Sequence, residues 1–238
     1  MASVYGIDVS SFNIINDWQQ VRNAGKEFCI IQAGNDNTGQ NTMLMSHYNG
    51  CQSVGIGVGL YWFCYALTPQ DAYNNGALCG QIITQNNLSL TYPVYYDVER
   101  TGYYDYRAGS VENWINHGIT PTPAFARSII EGFAAGLASQ VSNQFGLYFN
   151  QGMWYEFDYS TLLSAHPNWS RWIAQWDPYP PTSWTTWDIW QYGQGPIAGH
   201  YGDCDLNVLY EGYVPPGPGP TPTPSGNMPF WFYLKYPF

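Results

Sequence analysis

The chain has little charge, and positive charge is scarcest: 10% of its 238 residues are charged, with seven Lys and Arg against seventeen Asp and Glu. The resulting net charge of -10 repels the phosphate backbone on which nucleic-acid affinity mainly depends. We therefore predict that the protein does not bind nucleic acid.

Long apolar runs and several cofactor motifs are also missing. The longest apolar stretch, near residues 54–67, is broken by three glycines and falls short of the roughly 20 residues that a membrane span needs. There is no GxGxxG, GxSxG or HExxH pattern, and the four His share no ligand spacing. These absences disfavour nucleotide binding, Ser-His-Asp hydrolysis and a His-based metal site. We expect no cofactor and no metal.

The five cysteines include no CxxC pair, and their number is odd, which favours reduced thiols buried as small apolar groups. The N-terminus lacks the basic and apolar regions of a signal peptide. We therefore expect synthesis without classical secretion.

A shift in composition predicts three segments. Residues 214–226 are rich in Pro and Gly and are typical of an extended linker. Residues 1–213 then form one catalytic domain, and residues 227–238 form an aromatic tail that is too short to fold alone. We expect this tail to dock onto a partner, a membrane surface or its own domain.

Within residues 1–213, short apolar runs alternate with helix-compatible stretches. The predicted strands are residues 4–9, 28–33, 57–65, 93–98, 145–149, 172–176 and 187–192, and the predicted helices are residues 18–24, 42–54, 69–86 and 122–139. Such alternation is typical of parallel strands covered by helices, and seven or eight strands favour a closed β/α barrel. Helical stretches become scarce after residue 169, so we expect an irregular, TIM-like barrel there, and a glycine-rich loop from the last strand to Asp203.

Carboxylates stand where several predicted strands end. Asp97 and Glu99 close one apolar run, and their spacing of two places both on the same face of a strand. Asp8 ends the first strand, and Asp205 follows the last one. Because parallel barrels carry their chemistry at the carboxyl ends of their strands, these four acids are expected to meet in one cavity. Clustered carboxylates push each other's pKa values apart, so that one stays protonated near neutral pH, as glycosidic bond cleavage requires.

Other interpretations of these acids stay open. Asp97 and Glu99 also fit an exposed strand end, Asp8 fits a helix cap, and Asp205 fits a turn. Together with His200, Cys204 or Asn207, the four acids also fit a Ca²⁺ or Mg²⁺ site.

Aromatic residues make up 18% of the chain, with 21 Tyr and 11 Trp. Most of them are expected to fill the core. Tyr65, Trp176 and Tyr192 lie nearest the strand ends and are candidates for stacking on sugar rings. Asp177 is a further acid at that rim, or the start of a turn before Pro178.

Several segments together resemble the family 25 glycoside hydrolases, the Chalaropsis-type lysozymes of bacteria, fungi and phages. They are residues 5–10 (YGIDVS), 59–61 (GLY), 93–99 (PVYYDVE), 146–150 (GLYFN), 171–176 (RWIAQW), 187–192 (WDIWQY) and 205–207 (DLN). The similarity extends over about residues 4–212 in the same order. Two positions depart from it: Trp62 stands where members often have His, and Gln32 stands where Arg or Lys is common.

The resemblance implies a flattened β/α barrel that cleaves the β-1,4 bond between N-acetylmuramic acid and N-acetylglucosamine in peptidoglycan. It also implies roles: Glu99 is the proton donor, Asp97 is its partner, Asp8 and Asp205 are further cavity acids, and Tyr61 contacts the substrate. The expected partner is the glycan strand of bacterial peptidoglycan. The protein is expected to be a phage lysin that stays in the host cytoplasm until it is released, or that is associated with the virion. A non-catalytic wall-binding or virion module and a glycosidase for chitin-like polymers are the alternatives.

Overall fold

The computed structural model describes residues 3–100 and 109–210. The predicted linker at residues 214–226 and tail at residues 227–238 lie outside the described residues. The predicted division into three segments therefore stays a prediction.

The described chain contains eleven strands, seven α-helices and one 3-10 turn. The strands are β1 (Tyr5–Val9), β2 (Ile14–Ile15), β3 (Lys26–Asn35), β4 (Gly39–Gln40), β5 (Gly57–Phe63), β6 (Val94–Asp97), β7 (Phe145–Asn150), β8 (Ser170–Ala174), β9 (Ile189–Pro196), β10 (His200–Tyr201) and β11 (Asp203–Leu209). The helices are α1 (Trp18–Asn23), α2 (Leu44–Val54), α3 (Pro69–Gln85), α4 (Ser110–Asn116), α5 (Pro123–Ala138), α6 (Gln151–Glu156) and α7 (Tyr159–Ala165), and the 3-10 turn is Pro181–Ser183.

Eight of the strands close into a barrel in the order β1-β11-β9-β8-β7-β6-β5-β3, and β3 pairs again with β1. Seven of the eight run parallel, while β11 is antiparallel to both of its neighbours. The short strand β4 pairs with the edge of β3, and β2 pairs with β10 in a separate ribbon. The predicted irregular β/α barrel is thereby confirmed.

The main error in the predicted strand order is a missing strand after residue 192, where the sequence indicated a glycine-rich loop to Asp203 and no further strand. Residues 203–209 instead form β11, which lies between β1 and β9, so the first predicted strand does not neighbour the last one. The polar residues Asp203, Asp205 and Asn207 alternate with apolar ones, which is a strand pattern. Such polar residues are typical of a surface loop. In this barrel, however, Asp205 and Asn207 face the interior, next to Asp8.

The predicted helices agree with α1, α2, α3 and α5, whereas the short helices α4, α6 and α7 were not predicted. Helix α5 begins as its sequence indicates: the Thr122 hydroxyl accepts a hydrogen bond from the Phe125 N–H at 3.2 Å, and Pro123 takes the first helical position. Between β8 and β9 the chain forms only the 3-10 turn, which confirms the expected irregularity. Among the described residues, none of the helices has the length and apolar character required to cross a lipid bilayer.

The apolar residues form two layers. The larger layer lies between the strands and the surrounding helices, where Trp62, Tyr96 and Phe133 pack. The smaller layer fills the barrel interior, and its aromatic members are Phe28, Tyr61, Tyr92, Tyr95, Tyr148 and Trp172. All five cysteines are buried and free of disulfides.

Helices α3 and α5 cross at glycines, which brings their backbones into contact. A Cβ atom on Gly136 would lie 1.9 Å from the Tyr73 carbonyl oxygen. We expect Gly136→Ala to force the helices apart and to lower the free energy of unfolding by about 1–3 kcal/mol, as measured by urea denaturation. Gly152→Ala in α6 is the matched control, because its Cβ would meet only the Asn150 side chain, at 3.3 Å. Equal stability of the two variants would contradict this account of the packing.

Candidate active site

Two of the predicted acids face each other across neighbouring strands. Asp8 in β1 and Asp205 in β11 are register partners in the antiparallel ladder. Like charges at directly opposite positions destabilise a sheet, so a folded barrel favours a proton on this pair. Asp8 lies in a strand and Asp17 caps the first helix, so the helix-cap interpretation of Asp8 was wrong.

The other two acids lie at the end of β6. Asp97 is its last residue, and Glu99 is fixed by the start of α4: the Glu99 N–H donates to Ser110 Oγ at 3.1 Å, and the Val111 N–H donates to the Glu99 carbonyl at 3.1 Å. The neighbouring Arg100 pairs with Glu156 at 2.9 Å and lies 3.8 Å from Glu112. These contacts hold the segment after β6 in place.

The four carboxylates converge in the barrel interior. The phenols of Tyr61 and Tyr148, on β5 and β7, each have a pKa well above the usual value, because they are buried and because Asp8, Asp97, Glu99 and Asp205 all act on them electrostatically. Tyr148 is also the register partner of Asp97, and its hydroxyl donates to Gln191, which donates to Asp8, so acids from both sides of the barrel face the same interior. At this point of the barrel the strand ends form one acidic cavity, as the sequence predicts.

A network of neutral hydrogen-bond donors surrounds Asp8. Its Oδ2 accepts the amide of Asn207 at 2.7 Å and the amide of Gln191 at 3.0 Å. The two amides are themselves oriented: Trp172 Nε1 donates to Asn207 Oδ1 at 2.8 Å, and the Tyr148 hydroxyl donates to Gln191 Oε1 at 3.0 Å. Since each amide oxygen is occupied, each amide N–H₂ must point to Asp8.

Burial and mutual repulsion retain protons on the cluster. Burial is the largest cause that raises the pKa of Glu99 to about 7, with Asp205 and Glu112 adding to it and the hydrogen bond from Tyr148 opposing it. Burial and Asp205 raise the pKa of Asp8 to about 8 despite its amide donors. The pKa of Asp97 also lies well above its usual value, through burial and then repulsion from Glu99 and Asp8. The expectation that neighbouring acids alone protonate Glu99 is thus corrected, because desolvation contributes most.

Two carboxylate oxygens in the cavity have no hydrogen-bond donor in the part of the chain that the structure describes. Asp97 Oδ1 and Asp205 Oδ1 are shielded from solvent and have no hydrogen-bond partner among the described residues. A buried acceptor without a donor costs free energy, and a substrate N–H or O–H group would recover that cost. Glu99 itself is only half-buried and so keeps the access that a proton donor needs.

The structure places three of the predicted sugar contacts beside the acids. Tyr61 lies edge-on to Trp172, with 6.0 Å between the ring centroids. Burial, Glu99 and Asp97 raise the pKa of Tyr65, which places its phenol near the same cavity. Trp176 is 61% exposed and donates from Nε1 to Gln191 Oε1 at 3.1 Å, so its ring borders the acid network from the solvent side.

The structure does not place Tyr192 or Asp177 with the acids. Residues alternate along a strand, and since Gln191 faces the interior, Tyr192 faces the outside of β9, where it contacts Tyr5 and Trp190. Asp177 Oδ1 accepts the Tyr179 N–H at 3.0 Å, so it starts a turn. The structure thus does not bring these two side chains to the acids, and their contact with sugar stays a prediction.

Sequence reasoning missed Gln191 and Tyr148, which belong to the hydrogen-bond network around Asp8, and it also missed Asp36. A signal was present for Gln191 and Tyr148, because each occupies an inward position of a predicted strand. Asp36 follows β3 and accepts hydrogen bonds from Trp62 Nε1 at 2.5 Å and from the Tyr65 N–H at 2.7 Å. Nothing in the sequence pattern points to this contact, which joins the ends of β3 and β5.

The two departures from the family pattern have different surroundings. Trp62 packs into the layer between strands and helices, with Phe133 6.2 Å away between ring centroids. Gln32 pairs in register with Tyr61 on the neighbouring strand, and its Oε1 accepts the Asn41 amide at 2.6 Å. Only Gln32 therefore lies next to a cavity residue along the sheet. Among the described residues, no three His, Cys, Asp or Glu side chains form a group suited to hold a metal ion.

A closed β/α barrel carries its chemistry at its strand ends, and a cluster of carboxyl groups there is the arrangement with which glycoside hydrolases protonate the glycosidic oxygen. The sequence profile described as glycosyl hydrolases family 25 matches residues 7–200. The chain belongs to this family and is a glycoside hydrolase.

Individual relatives are distant in sequence. Lysozyme M1 of Streptomyces globisporus is 24% identical over 219 residues, which cover 87% of this chain and 67% of that protein. The modular autolysin LytC of Streptococcus pneumoniae superposes with a TM-score of 0.71 at 21% identity and covers 87% of this chain. This chain spans about half of LytC, 47% of its length. A bacterial lysozyme from Streptomyces coelicolor has a TM-score of 0.66 at 22% identity and covers 89% of this chain and 94% of its own.

The raised pKa of Glu99 predicts that stability depends on pH. An unfolded Glu ionises near pH 4.5, whereas folded Glu99 ionises near pH 7, so the folded state binds more protons between these values. Stability must then fall as the pH rises through this window. We expect Glu99→Gln to be more stable than the wild type at pH 8, by on the order of 3 kcal/mol, and to differ little at pH 4.

Urea denaturation at the two pH values tests this expectation. Glu27→Gln serves as the control, because Glu27 is exposed and lies outside the cavity. A gain for Glu99→Gln that is the same at both pH values would show that its carboxyl group is not desolvated in the folded state.

Proposed function

We propose that the protein is a peptidoglycan hydrolase that cleaves the β-1,4 bond between N-acetylmuramic acid and N-acetylglucosamine. The observation that carries this proposal is the convergence of four carboxyl groups, among them the half-buried Glu99, whose pKa is about 7. Family membership supports a glycosidic bond as the target. Lysozyme M1, whose name states a wall-degrading activity, supports the choice of glycan.

Glu99 is the general acid in this proposal. Its carboxyl group donates a proton to the glycosidic oxygen, the bond from the sugar C1 to that oxygen breaks, and the electron pair leaves with the departing sugar. Positive charge then develops on C1 and the ring oxygen. Ionised Glu99 afterwards takes a proton from the water that attacks C1, which restores the acid.

Asp97 stabilises the positive charge. Its unpartnered Oδ1 is an acceptor for the N–H of the substrate's 2-acetamido group. A carboxylate in that position orients the acetamido oxygen toward C1 as an internal nucleophile, whereas direct attack by Asp97 gives the same retained configuration. Asp8 and Asp205 line the cavity beside this pair, and Tyr61, Tyr65 and Trp176 contact the sugar.

The localisation follows from the sequence expectation and stays a proposal: the enzyme acts on the cell wall after release from a host cytoplasm, or as a virion component. Peptidoglycan glycan strands are the proposed partner. No described residue tests whether the aromatic tail at residues 227–238 docks onto a partner, a membrane surface or the barrel.

Replacing the general acid tests the chemistry. We expect Glu99→Gln to lower the release of reducing ends from purified peptidoglycan by about 10²- to 10⁴-fold, because the amide cannot donate the required proton. Glu27→Gln is the control, since that glutamate is exposed and lies outside the cavity. Near-normal turnover by Glu99→Gln would contradict the assignment.

The products identify the bond. Borohydride reduction of the digest should convert the muramic acid at the new reducing ends to its sugar alcohol. It should produce no reduced glucosamine. Cleavage of chitin oligomers in preference to peptidoglycan would favour the chitin alternative. Binding to cell walls without any new reducing end would favour a non-catalytic wall-binding module.

The pH profile tests the pKa of the acid. Because Glu99 must be protonated, we expect kcat/KM on soluble glycan fragments to fall above a midpoint near pH 7. A profile that stays flat to pH 9 would show that Glu99 does not supply the proton.

A further inference from the structure

A second cavity lies on the outer face of the barrel, away from the four acids. Its volume is about 960 Å³, and six of its lining residues are aromatic: Tyr5, Trp176, Trp187, Trp190, Tyr192 and Tyr210. We call this cavity the outer groove. The other lining residues include Asp177 and two prolines of the segment that joins β8 to β9.

The outer groove is left open because, in the described part of the chain, no α-helix lies between β8 and β9 to cover this face of the barrel. The connection from β8 to β9 contains only the 3-10 turn Pro181–Ser183, and β11 follows β9 through a hairpin-like return. Strand alternation turns Trp190 and Tyr192 outward when Gln191 faces the acids. Aromatic rings that a helix would otherwise cover therefore reach the surface.

The chemistry of the outer groove suits an uncharged sugar polymer. Among the described residues that line it there is no Lys, Arg or His, and Asp177 is the one carboxylate, so this lining offers an anionic polymer no counter-charge. The rings carry apolar faces and polar tips, which match the C–H faces and hydroxyl groups of a sugar. Trp187 Nε1 is shielded and has no acceptor in the described part of the chain, and a sugar oxygen would supply one.

The outer groove is connected to the catalytic cavity through one residue. Trp176 lines the groove, and its Nε1 donates to Gln191 Oε1 at 3.1 Å. Gln191 in turn donates to Asp8 Oδ2 at 3.0 Å. The rim of the groove is thus two hydrogen bonds from a cavity acid, so a glycan bound at one site extends toward the other.

We propose that the outer groove is a second, non-catalytic binding site for the glycan of the cell wall, which holds the polymer while the catalytic cavity acts on it. This inference rests on the proposed function. The site supplies wall affinity through ring stacking, which a protein with a net charge of -10 cannot obtain by attracting anionic wall polymers.

The test measures binding of the full chain to insoluble, purified peptidoglycan by co-sedimentation, in a Glu99→Gln background that prevents hydrolysis. The test variant carries Tyr5→Ala and Tyr210→Ala, since both side chains are exposed and line the groove. We expect a loss of roughly tenfold or more in affinity from the removal of two stacking surfaces. Tyr155→Ala is the control, because Tyr155 is exposed on α6 outside the groove.

Folding is checked by circular dichroism, and the single variant Tyr210→Ala replaces the double variant if the latter unfolds. Affinity equal to that of the control would overturn the inference. A gain in affinity after Trp231→Ala and Phe232→Ala in the tail would support it, because the tail would then compete with glycan for the same groove.

Digestion by the otherwise unchanged protein separates this inference from the proposed function. Absence of new reducing ends from the same peptidoglycan would reject the hydrolase. Normal digestion together with equal binding by the groove variant would reject only the second site.

Discussion

Asp8 Oδ2 accepts two amides, one from β9 and one from β11, and the arrangement of the cavity depends on this oxygen. Gln191 and Asn207 are oriented for it by an aromatic donor each, Tyr148 and Trp172. The interior aromatic residues are therefore part of the polar network as well as apolar filling. Trp172 shows this directly, because its ring packs 4.5 Å from that of Tyr148 while its N–H orients Asn207.

All four cavity acids are carboxylic acids, but their hydrogen-bond partners differ. Asp8 is held by neutral donors, whereas Asp97 and Asp205 each keep one buried oxygen without a partner. Glu99 is anchored through its backbone to the start of α4, which leaves its carboxyl group in contact with solvent and with Tyr148. The two unpaired carboxylate oxygens destabilise the folded protein, and a bound substrate would supply the missing hydrogen bonds.

Much of the barrel was predictable from sequence, because strand runs such as residues 145–149 and caps such as Thr122 are local signals. Asp8, Asp97 and Glu99 stand at the carboxyl ends of parallel strands, which meet at one edge, so their convergence was predictable as well, whereas Asp205 lies in the antiparallel strand β11. That strand was not predictable, because its inward residues are polar and resemble a loop. The contact of Asp36 with Trp62 joins residues 26 positions apart, and no local pattern encodes it. Tyr192 was misplaced because nearness to a strand end does not determine the face of the strand.

The position of β11 also has a consequence for the order of events during synthesis. Asp8 emerges from the ribosome early, but its partner Asp205 lies almost 200 residues later in the chain and must insert between β1 and β9 to close the barrel. Contacts this distant in sequence form late in folding. A nascent chain therefore carries most of the helices and the Asp97–Glu99 pair without an enclosed cavity. The four acids therefore come together only when the last strand has docked.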